Sequence, residues 1–540
     1  MKRDIQIYDC TLRDGAQAVG ISFSRGGKLQ FAHRLDDLGV AFIEGGYAGS
    51  NEKDMQFFED IRKERFDTAK IAAFGSTRRV GTNVAEDAFV NALLKAETEW
   101  CTIYGKTWKL HVTDVLRTTL AENAQMIADT VGFLRERGRR VVFDAEHFFD
   151  GYKDDAAFAL KMLRTAVDAG ADQVILCDTN GGTMPFEVFS IVQDVCAHLP
   201  GVDVGVHCHN DAGMGAAASI EGVRAGAIQV QGCMNGYGER AGNANLTTII
   251  PTLELKMGRR CIGEGQLRNL RDVSLCVDDL VNQRPDIRAP YVGKASFSHK
   301  AGAHVSGVQK TPASFEHIPP EAVGNERQIV ISELSGGANI HHRLRQMGLG
   351  GEGEISREDV KRILAAVKKR ESEGYSFEAA DGSFEILVKK ELRSHKPFFQ
   401  LDSFRVIVEK RAADLPCVSE ATVKLKVGDG SEHTVGEGIG PVDALDEALR
   451  AALSRAYPAI NDVTLTDFRV RILDPKEATG ATTRVLIEST DGERRWGTVG
   501  VSPNIIEASW QALLDSVEYK LFADAGAGKA AASGGEAPTA

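Results

Sequence analysis

The sequence has no run approaching the ~18 apolar residues of a membrane span, no CxxC pair of the kind structural zinc requires, and no GxGxxG fingerprint after its first strand-like segment. These absences argue against an integral membrane protein, a zinc-knit module and a dinucleotide-binding fold. Net positive charge is missing too: 64 Lys and Arg against 76 Asp and Glu leave −12. Nucleic acid and anionic membrane are therefore not expected partners, although a local basic pocket for an anionic metabolite remains compatible. Met1-Lys2-Arg3-Asp4 leads straight into a strand-like segment, so no leader is expected. Nine cysteines, an odd number scattered from Cys10 to Cys417, read as free thiols in a reduced cytoplasm.

What is present is a long, glycine-rich chain. At ~100–200 residues per domain, 540 residues allow about three domains or one large barrel with attachments. From residue 4 to about 258 one unit recurs: a short β-rich run, a Gly/Asp/Asn corner, then an amphipathic helix. The runs are 5–9, 40–45, 70–75, 100–105, 140–147, 173–178, 202–209 and 229–235. Helical spacing is clear in 119–137 (Leu120, Met126, Ile127, Thr130, Leu134) and 156–169 (Phe158, Met162, Leu163, Val167). Eight strands alternating with helices predict an α/β fold, a (β/α)8 TIM barrel over residues 1–260. An open doubly wound sheet usually carries fewer strands and an early phosphate-binding fingerprint.

Residues 261–402 read as a helical connector contributing to the active site, with helices over 267–281 and 356–369. The second opens on a capping box, Ser356-Arg357-Glu358-Asp359. Residues 293–307 are rich in Gly, Ser and His, and 348–353 are mostly Gly. Residues 403–522 hold an internal repeat. Strands over 404–409, 421–427 and 432–436 and a helix over 441–456 are echoed by 464–473, 482–488, 495–501 and 505–521. Two βββα copies predict a pseudo-symmetric C-terminal α+β domain that buries its helices on its sheets, and 523–540 a disordered tail.

Barrel enzymes keep their chemistry where strands end, at the C-terminal mouth. Here those ends carry Arg13 and Asp14, Glu44, Glu146, Asp178 and Thr179, and His207 and His209. In His207-Cys208-His209 the side-chain period of two turns both imidazoles to one side. With Asp14 they form an N/O donor set suited to Mn2+, Mg2+ or a catalytic Zn2+. The plainer alternative is two histidines bonded to neighbouring loops. Arg13 beside Asp14 is either a surface pair or a fixed cation for a developing oxyanion. Glu146 is either a proton-transfer group or a carboxylate paired to a nearby base. Cys10 and Cys177 read as small buried hydrophobes, and no nucleophile elbow is present.

Three stretches carry a specific resemblance: Asp9-Cys10-Thr11-Leu12-Arg13-Asp14-Gly15-Ala16-Gln17, His207-Cys208-His209-Asn210-Asp211 and Gly238-Glu239-Arg240-Ala241-Gly242-Asn243-Ala244. They resemble the signatures of the 2-isopropylmalate synthase/homocitrate synthase superfamily, metal-dependent TIM-barrel acyltransferases that condense acetyl-CoA with an α-keto acid. Ala16, Ala73-Phe74-Gly75-Ser76-Thr77-Arg78-Arg79 and Asp144-Ala145-Glu146-His147-Phe148-Phe149-Asp150-Gly151-Tyr152 are similar to the citramalate synthase branch, which uses pyruvate. The repeat, down to Asn504-Ile505-Ile506-Glu507-Ala508-Ser509, resembles the superfamily's regulatory domain.

By position, the resemblance implies Asp14, His207, His209 and Asn243 as metal ligands. It implies Arg13, Gln17, Glu44 and Thr179 as substrate-binding residues, and Arg13, Glu146 and His304 as catalytic ones. It further implies a Claisen-type condensation to (R)-citramalate and CoA in branched-chain amino-acid biosynthesis, a homodimer, and feedback inhibition by isoleucine or leucine. The chain departs from the pattern at Ser306, where an acid is common, and at Phe315, where a Tyr is expected. The missing phenol implies reduced activity or replacement by Tyr237 or Tyr291. Alternatives are a 2-isopropylmalate synthase using 2-oxoisovalerate, a retro-aldol lyase, and a sensor whose barrel has lost activity.

Overall fold

A computed structural model describes residues 4–49, 52–329, 340, 344, 355–410, 412–473 and 481–533. The Gly-rich stretch 348–353 lies outside them. The chain separates into two compact units, residues 1–297 with 316–327 and residues 298–315 with 328–540. The expected connector is thus divided between the two units.

In the first unit eight parallel strands close into a barrel. They are β1 (Gln6–Asp9), β2 (Phe42–Tyr47), β3 (Lys70–Ser76), β4 (Trp100–Lys106), β5 (Arg140–Glu146), β6 (Gln173–Asp178), β7 (Asp203–Cys208) and β8 (Gln229–Gly232). The helices α1 (Arg25–Leu38), α2 (Glu52–Ile61), α3 (Ala88–Lys95), α4 (Leu120–Glu136), α5 (Phe148–Asp168), α6 (Pro185–His198), α7 (Gly215–Ala225) and α8 (Leu246–Pro251) follow the strands in turn, and α9 (Leu270–Leu280) packs on α1. Helix α4 shows why such segments fold where they do. Thr119 caps it by accepting from Glu122 N, and Met126, Ile127, Val131 and Leu134 recur at helical spacing as its buried face.

Alternation along the strands stacks the barrel interior in layers. Gln173 Nε2 donates to Gln6 Oε1 at 2.7 Å, and Gln229 Nε2 donates to Gln173 Oε1 at 2.5 Å, closing the N-terminal end with satisfied amides. Above them Tyr8, Phe42, Trp100, Val142 and Ile175 pack together. Strand β8 stops at Gly232, short of the expected 235, because Asn235 takes a left-handed φ of 58° in the turn Met234–Gly236. Beyond β7, His209 forms an isolated bridge with Asn243.

In the second unit the short strands β9 (Ser298–His299) and β10 (Gln328–Ile329) pair in parallel, and α10 (Gly302–Lys310) follows β9. Helix α11 (Arg357–Ser372) opens on the expected capping box: Ser356 Oγ accepts from Asp359 N, and the Asp359 carboxylate accepts from Ser356 N. After α12 (Asp381–Glu391) comes the repeat. The antiparallel sheet β11 (Phe399–Glu409), β12 (Val418–Val427), β13 (Gly430–Gly438) is followed by α13 (Pro441–Leu453). Its counterpart is β14 (Thr464–Ile472), β15 (Thr483–Thr490), β16 (Arg495–Ser502), followed by α14 (Ile505–Ser533).

Each helix lies on its own sheet, so both copies need a residue without a side chain at the crossing. A Cβ on Gly436 would stand 2.4 Å from Ala448 N, and one on Gly500 would stand 1.9 Å from Ala508 O. Val423, Leu425, Leu449, Val485, Ile487 and Leu513 share the core between the copies. Helix α14 runs on to Ser533, past the expected end of order at 522, through an Ala-rich stretch of high helix propensity. Residues 534–540 lie outside the described residues. No helix among the described residues is long and apolar enough to cross a membrane.

Candidate metal centre

The C-terminal mouth of the barrel collects the strand-end residues. Asp14 follows β1, while His207 and His209 leave β7 on the same side, as their spacing requires. Donor atoms of the three lie within 4.8 Å of one another, and all three side chains are buried. His207 Nδ1 donates to Gln231 Oε1 at 2.8 Å, which turns Nε2 towards Asp14 Oδ2, 3.7 Å away. Burial alone would raise the Asp14 carboxyl. The Arg13 guanidinium and then the two imidazoles outweigh it and hold the group well below the usual carboxylate range. Burial, then the neighbouring His207, pushes His209 down to about 4. The site is thus an anion flanked by two rings, a charge state that a divalent cation complements.

Two buried atoms here have no hydrogen-bond partner among the described residues, His209 Nδ1 and Asn243 Oδ1. Asn243 Nδ2 donates to Asp14 Oδ1 at 2.7 Å, so its amide adjoins the same carboxylate. Buried acceptors rarely stay unpaired, and these two fit a bound cation. The expected ligands Asp14, His207, His209 and Asn243 therefore come together.

Arg13 is pinned from three sides. Nε donates to Glu44 Oε2 at 2.5 Å, Nη1 donates to Asp14 Oδ2 at 2.9 Å, and the guanidinium lies 3.7 Å over the Phe74 ring. Glu44 is fully buried, and its second oxygen accepts from Tyr8 Oη at 2.9 Å. Its place in this structure is beneath Arg13, as the counter-charge that fixes the guanidinium. Gln17 is exposed and lines a cavity of about 210 Å3 with Arg13, Lys28 and Asp54.

Elsewhere on this rim Glu146 pairs with Lys106, its cross-strand neighbour in the β4–β5 register. Thr179 Oγ1 accepts from His147 N at 2.9 Å, leaving its hydroxyl proton free to donate. His304 lies on α10 in the second unit, exposed, with its ring stacked on Phe315 at 4.4 Å. Tyr237 Oη donates to Asp278 Oδ1 at 2.5 Å and Tyr291 Oη shares a hydrogen bond with Thr252 Oγ1 at 3.1 Å, so both phenols are engaged. Cys10 and Cys177 are buried thiols, pushed well above the ordinary range by that burial, as small hydrophobes would be.

The chain matches the HMGL-like family over residues 4–275, a homocitrate synthase post-HMGL domain-like family over 291–374 and the LeuA allosteric (dimerisation) domain over 378–521. It is 50% identical over 518 residues to the (R)-citramalate synthase of Geobacter sulfurreducens, spanning 96% of this chain and 97% of that protein. The chain belongs to the (R)-citramalate synthase family. The Aquifex aeolicus member is 48% identical over 524 residues, 97% of this chain and 99% of that protein. The Synechocystis member is 48% identical over 533 residues, 96% of each.

Five side chains at this mouth have no expected role in the motifs. Gln231 is buried beneath His207, and its Nε2 donates to Asp144 Oδ1 at 3.1 Å. Burial, then the Glu44 charge, raises Asp144 well above the carboxylate range. Lys106 faces Glu146, and the His111 and His147 rings lie 4.0 Å apart beside Trp108. Lys106 ends strand β4 and so shares the positional signal that singles out Glu146. Gln231 offers no such signal, since a neutral amide inside a strand looks like any core polar residue.

Proposed function

We propose that this chain condenses acetyl-CoA with pyruvate, giving (R)-citramalate and CoA. The observation that carries the reading is the buried Asp14–His207–His209 cluster beside a guanidinium fixed at three points, in a chain about half identical along its length to (R)-citramalate synthases. Asp14, His207 and His209, with Asn243 as a fourth donor, would hold a divalent cation, Mn2+, Mg2+ or Zn2+. When bound, that ion would supply Lewis-acid polarisation to the two oxygens of the keto acid.

The remaining work falls to the side chains. Thr179 Oγ1–H binds the keto acid carboxylate. A base removes a proton from the acetyl methyl, and the enolate carbon attacks C2 of pyruvate. The former keto oxygen takes up the negative charge and meets Arg13, already oriented by Glu44 and Phe74, so little reorganisation is needed as the charge develops. Water then cleaves the thioester, releasing CoA. Glu146 is the candidate base on the same rim, oriented by Lys106, whereas His304 is proposed on family resemblance. Gln17 contributes to substrate binding from the cavity it shares with Arg13. The LeuA-type module would make the protein a homodimer in the cytoplasm, inhibited by isoleucine or leucine.

Release of CoA thiol with Mn2+ and acetyl-CoA, comparing pyruvate with 2-oxoisovalerate, tests the assignment. Preference for pyruvate is the expected result. Preference for 2-oxoisovalerate would make the chain a 2-isopropylmalate synthase, and no release with either acid would overturn acyl transfer.

A further inference from the structure

Strand β2 carries a bulge just past Glu44. Glu44 pairs with Ala72 of β3, but the next pairs are Gly46 with Ala73 and Tyr47 with Phe74, so Gly45 is the extra residue. Regular alternation from Glu44 would turn Gly46 to the mouth. The bulge gives that place to Tyr47, whose ring meets Phe74 at 5.7 Å, while Glu44 meets Arg13. Phe74 is the ring that the Arg13 guanidinium covers. Two glycines make the irregularity possible. A Cβ on Gly45 would stand 2.6 Å from Phe57 Cε1, and one on Gly46 would stand 2.6 Å from Asp54 Cγ.

A buried ion pair from two helices clamps this bulge. Lys28 of α1 is 3% exposed, and its Nζ donates to Gly45 O at 3.1 Å and to Asp54 Oδ1 at 2.6 Å. Asp54 of α2 is buried as well, and its Oδ2 accepts from Tyr47 N at 3.0 Å. The pair therefore grips the backbone on both sides of Gly46. A buried ion pair is often no more stabilising than well-packed apolar side chains of the same volume, so stability is a weak reason for one here. What this pair supplies is direction, since it ties the end of β2 to α1 and α2 at once.

We propose that Lys28 and Asp54 are positioning residues for Arg13. They hold the bulge, the bulge aims Glu44 and sets Tyr47 against Phe74, and Glu44 and Phe74 fix the guanidinium. The catalytic meaning of that placement rests on the acyl-transfer reading, in which Arg13 meets the oxygen that becomes charged. A guanidinium set in advance needs little reorganisation at that moment, and a misplacement of about 1 Å can cost about a hundredfold in rate.

Arginine modification by phenylglyoxal, followed residue by residue in peptide mass spectra of the full chain, reads the setting of Arg13 without turnover. Lys28→Met should speed modification of Arg13 at least about fivefold by loosening its surroundings locally. Arg78, a buried arginine of the same barrel held by Glu122 and Asp129, should keep its wild-type rate. Asp54→Asn keeps an acceptor for Tyr47 N while removing the charge, and should shift Arg13 in the same direction. In turnover, Lys28→Met should lower kcat about 10–100-fold with the KM for pyruvate unmoved. In a Glu44→Gln background the same substitution should cost less than about threefold more, because both act through Arg13. Arg78 accelerating together with Arg13 in both variants would make the pair a general anchor and overturn the proposal. So would wild-type labelling of Arg13 in both, a rise in KM at constant kcat, or losses that multiply in full with those of Glu44→Gln. A wild-type chain that releases no CoA would fail the acyl-transfer reading instead, and the labelling would still decide whether the clamp sets Arg13.

Discussion

Replacing Gln231 with methionine asks whether the metal centre is organised from inside the barrel. Gln231 is fully buried, accepts from His207 Nδ1 at 2.8 Å and donates to Asp144 at 3.1 Å. Methionine is unbranched and of similar size, so its packing cost should stay below ~1.5 kcal/mol. What disappears is the acceptor for His207. A buried donor left without a partner costs about 1–3 kcal/mol, so the metal-free protein should lose stability by an amount in that range. For the ion, losing the group that orients a ligating imidazole typically weakens affinity about 10–100-fold, or about 1.4–2.8 kcal/mol. Competition with a chromophoric chelator measures this directly, and the Mn2+ concentration for half-maximal CoA release should rise by the same factor. Turnover at saturating Mn2+ should change far less, since Gln231 lies behind the ligand and touches no reacting atom. Unaltered chelator competition, with half-maximal Mn2+ also unmoved, would refute the idea that Gln231 positions His207.

Lys106→Met removes the cation facing Glu146 and is expected to lower kcat about 10–100-fold with little change in KM for pyruvate. A rise in KM at constant kcat would instead place Lys106 on the substrate. The His111–His147 pair gives a pH signature: burial, then the neighbouring ring, pushes His111 down to about 4. Its unfolded value is about 6.5, so between those limits the unfolded chain binds the proton more readily. The stability contributed at neutral pH is therefore lost as pH falls from 6.5 towards 4. His111→Phe should flatten the urea midpoint across that window, and a decline as steep as that of the wild type would refute the assignment.

The Asp14–His207–His209 cluster was legible in the sequence because its geometry is local. A spacing of two residues at the end of a strand determines that His207 and His209 face the same way, whatever the rest of the fold does. Asp14 follows from the rule that a closed barrel brings successive strand ends to one rim. The charge pairs were harder to read, since pairing depends on register between strands. Glu146 meets Lys106 because β4 and β5 align those two positions, and a shift of one residue would turn each to the other face. Glu44 shows the same limit. The resemblance implied a substrate contact for it, and the packing sets Tyr8 and Arg13 from the neighbouring β1 and its loop against its two oxygens. The βββα copies were legible through their periodicity, yet the clamp on β2 was not, because Lys28 and Asp54 come from different helices and meet at a bulge that no spacing rule marks. Residue type announced a charge in each of these cases, and only the packing of distant segments decided what that charge would hold.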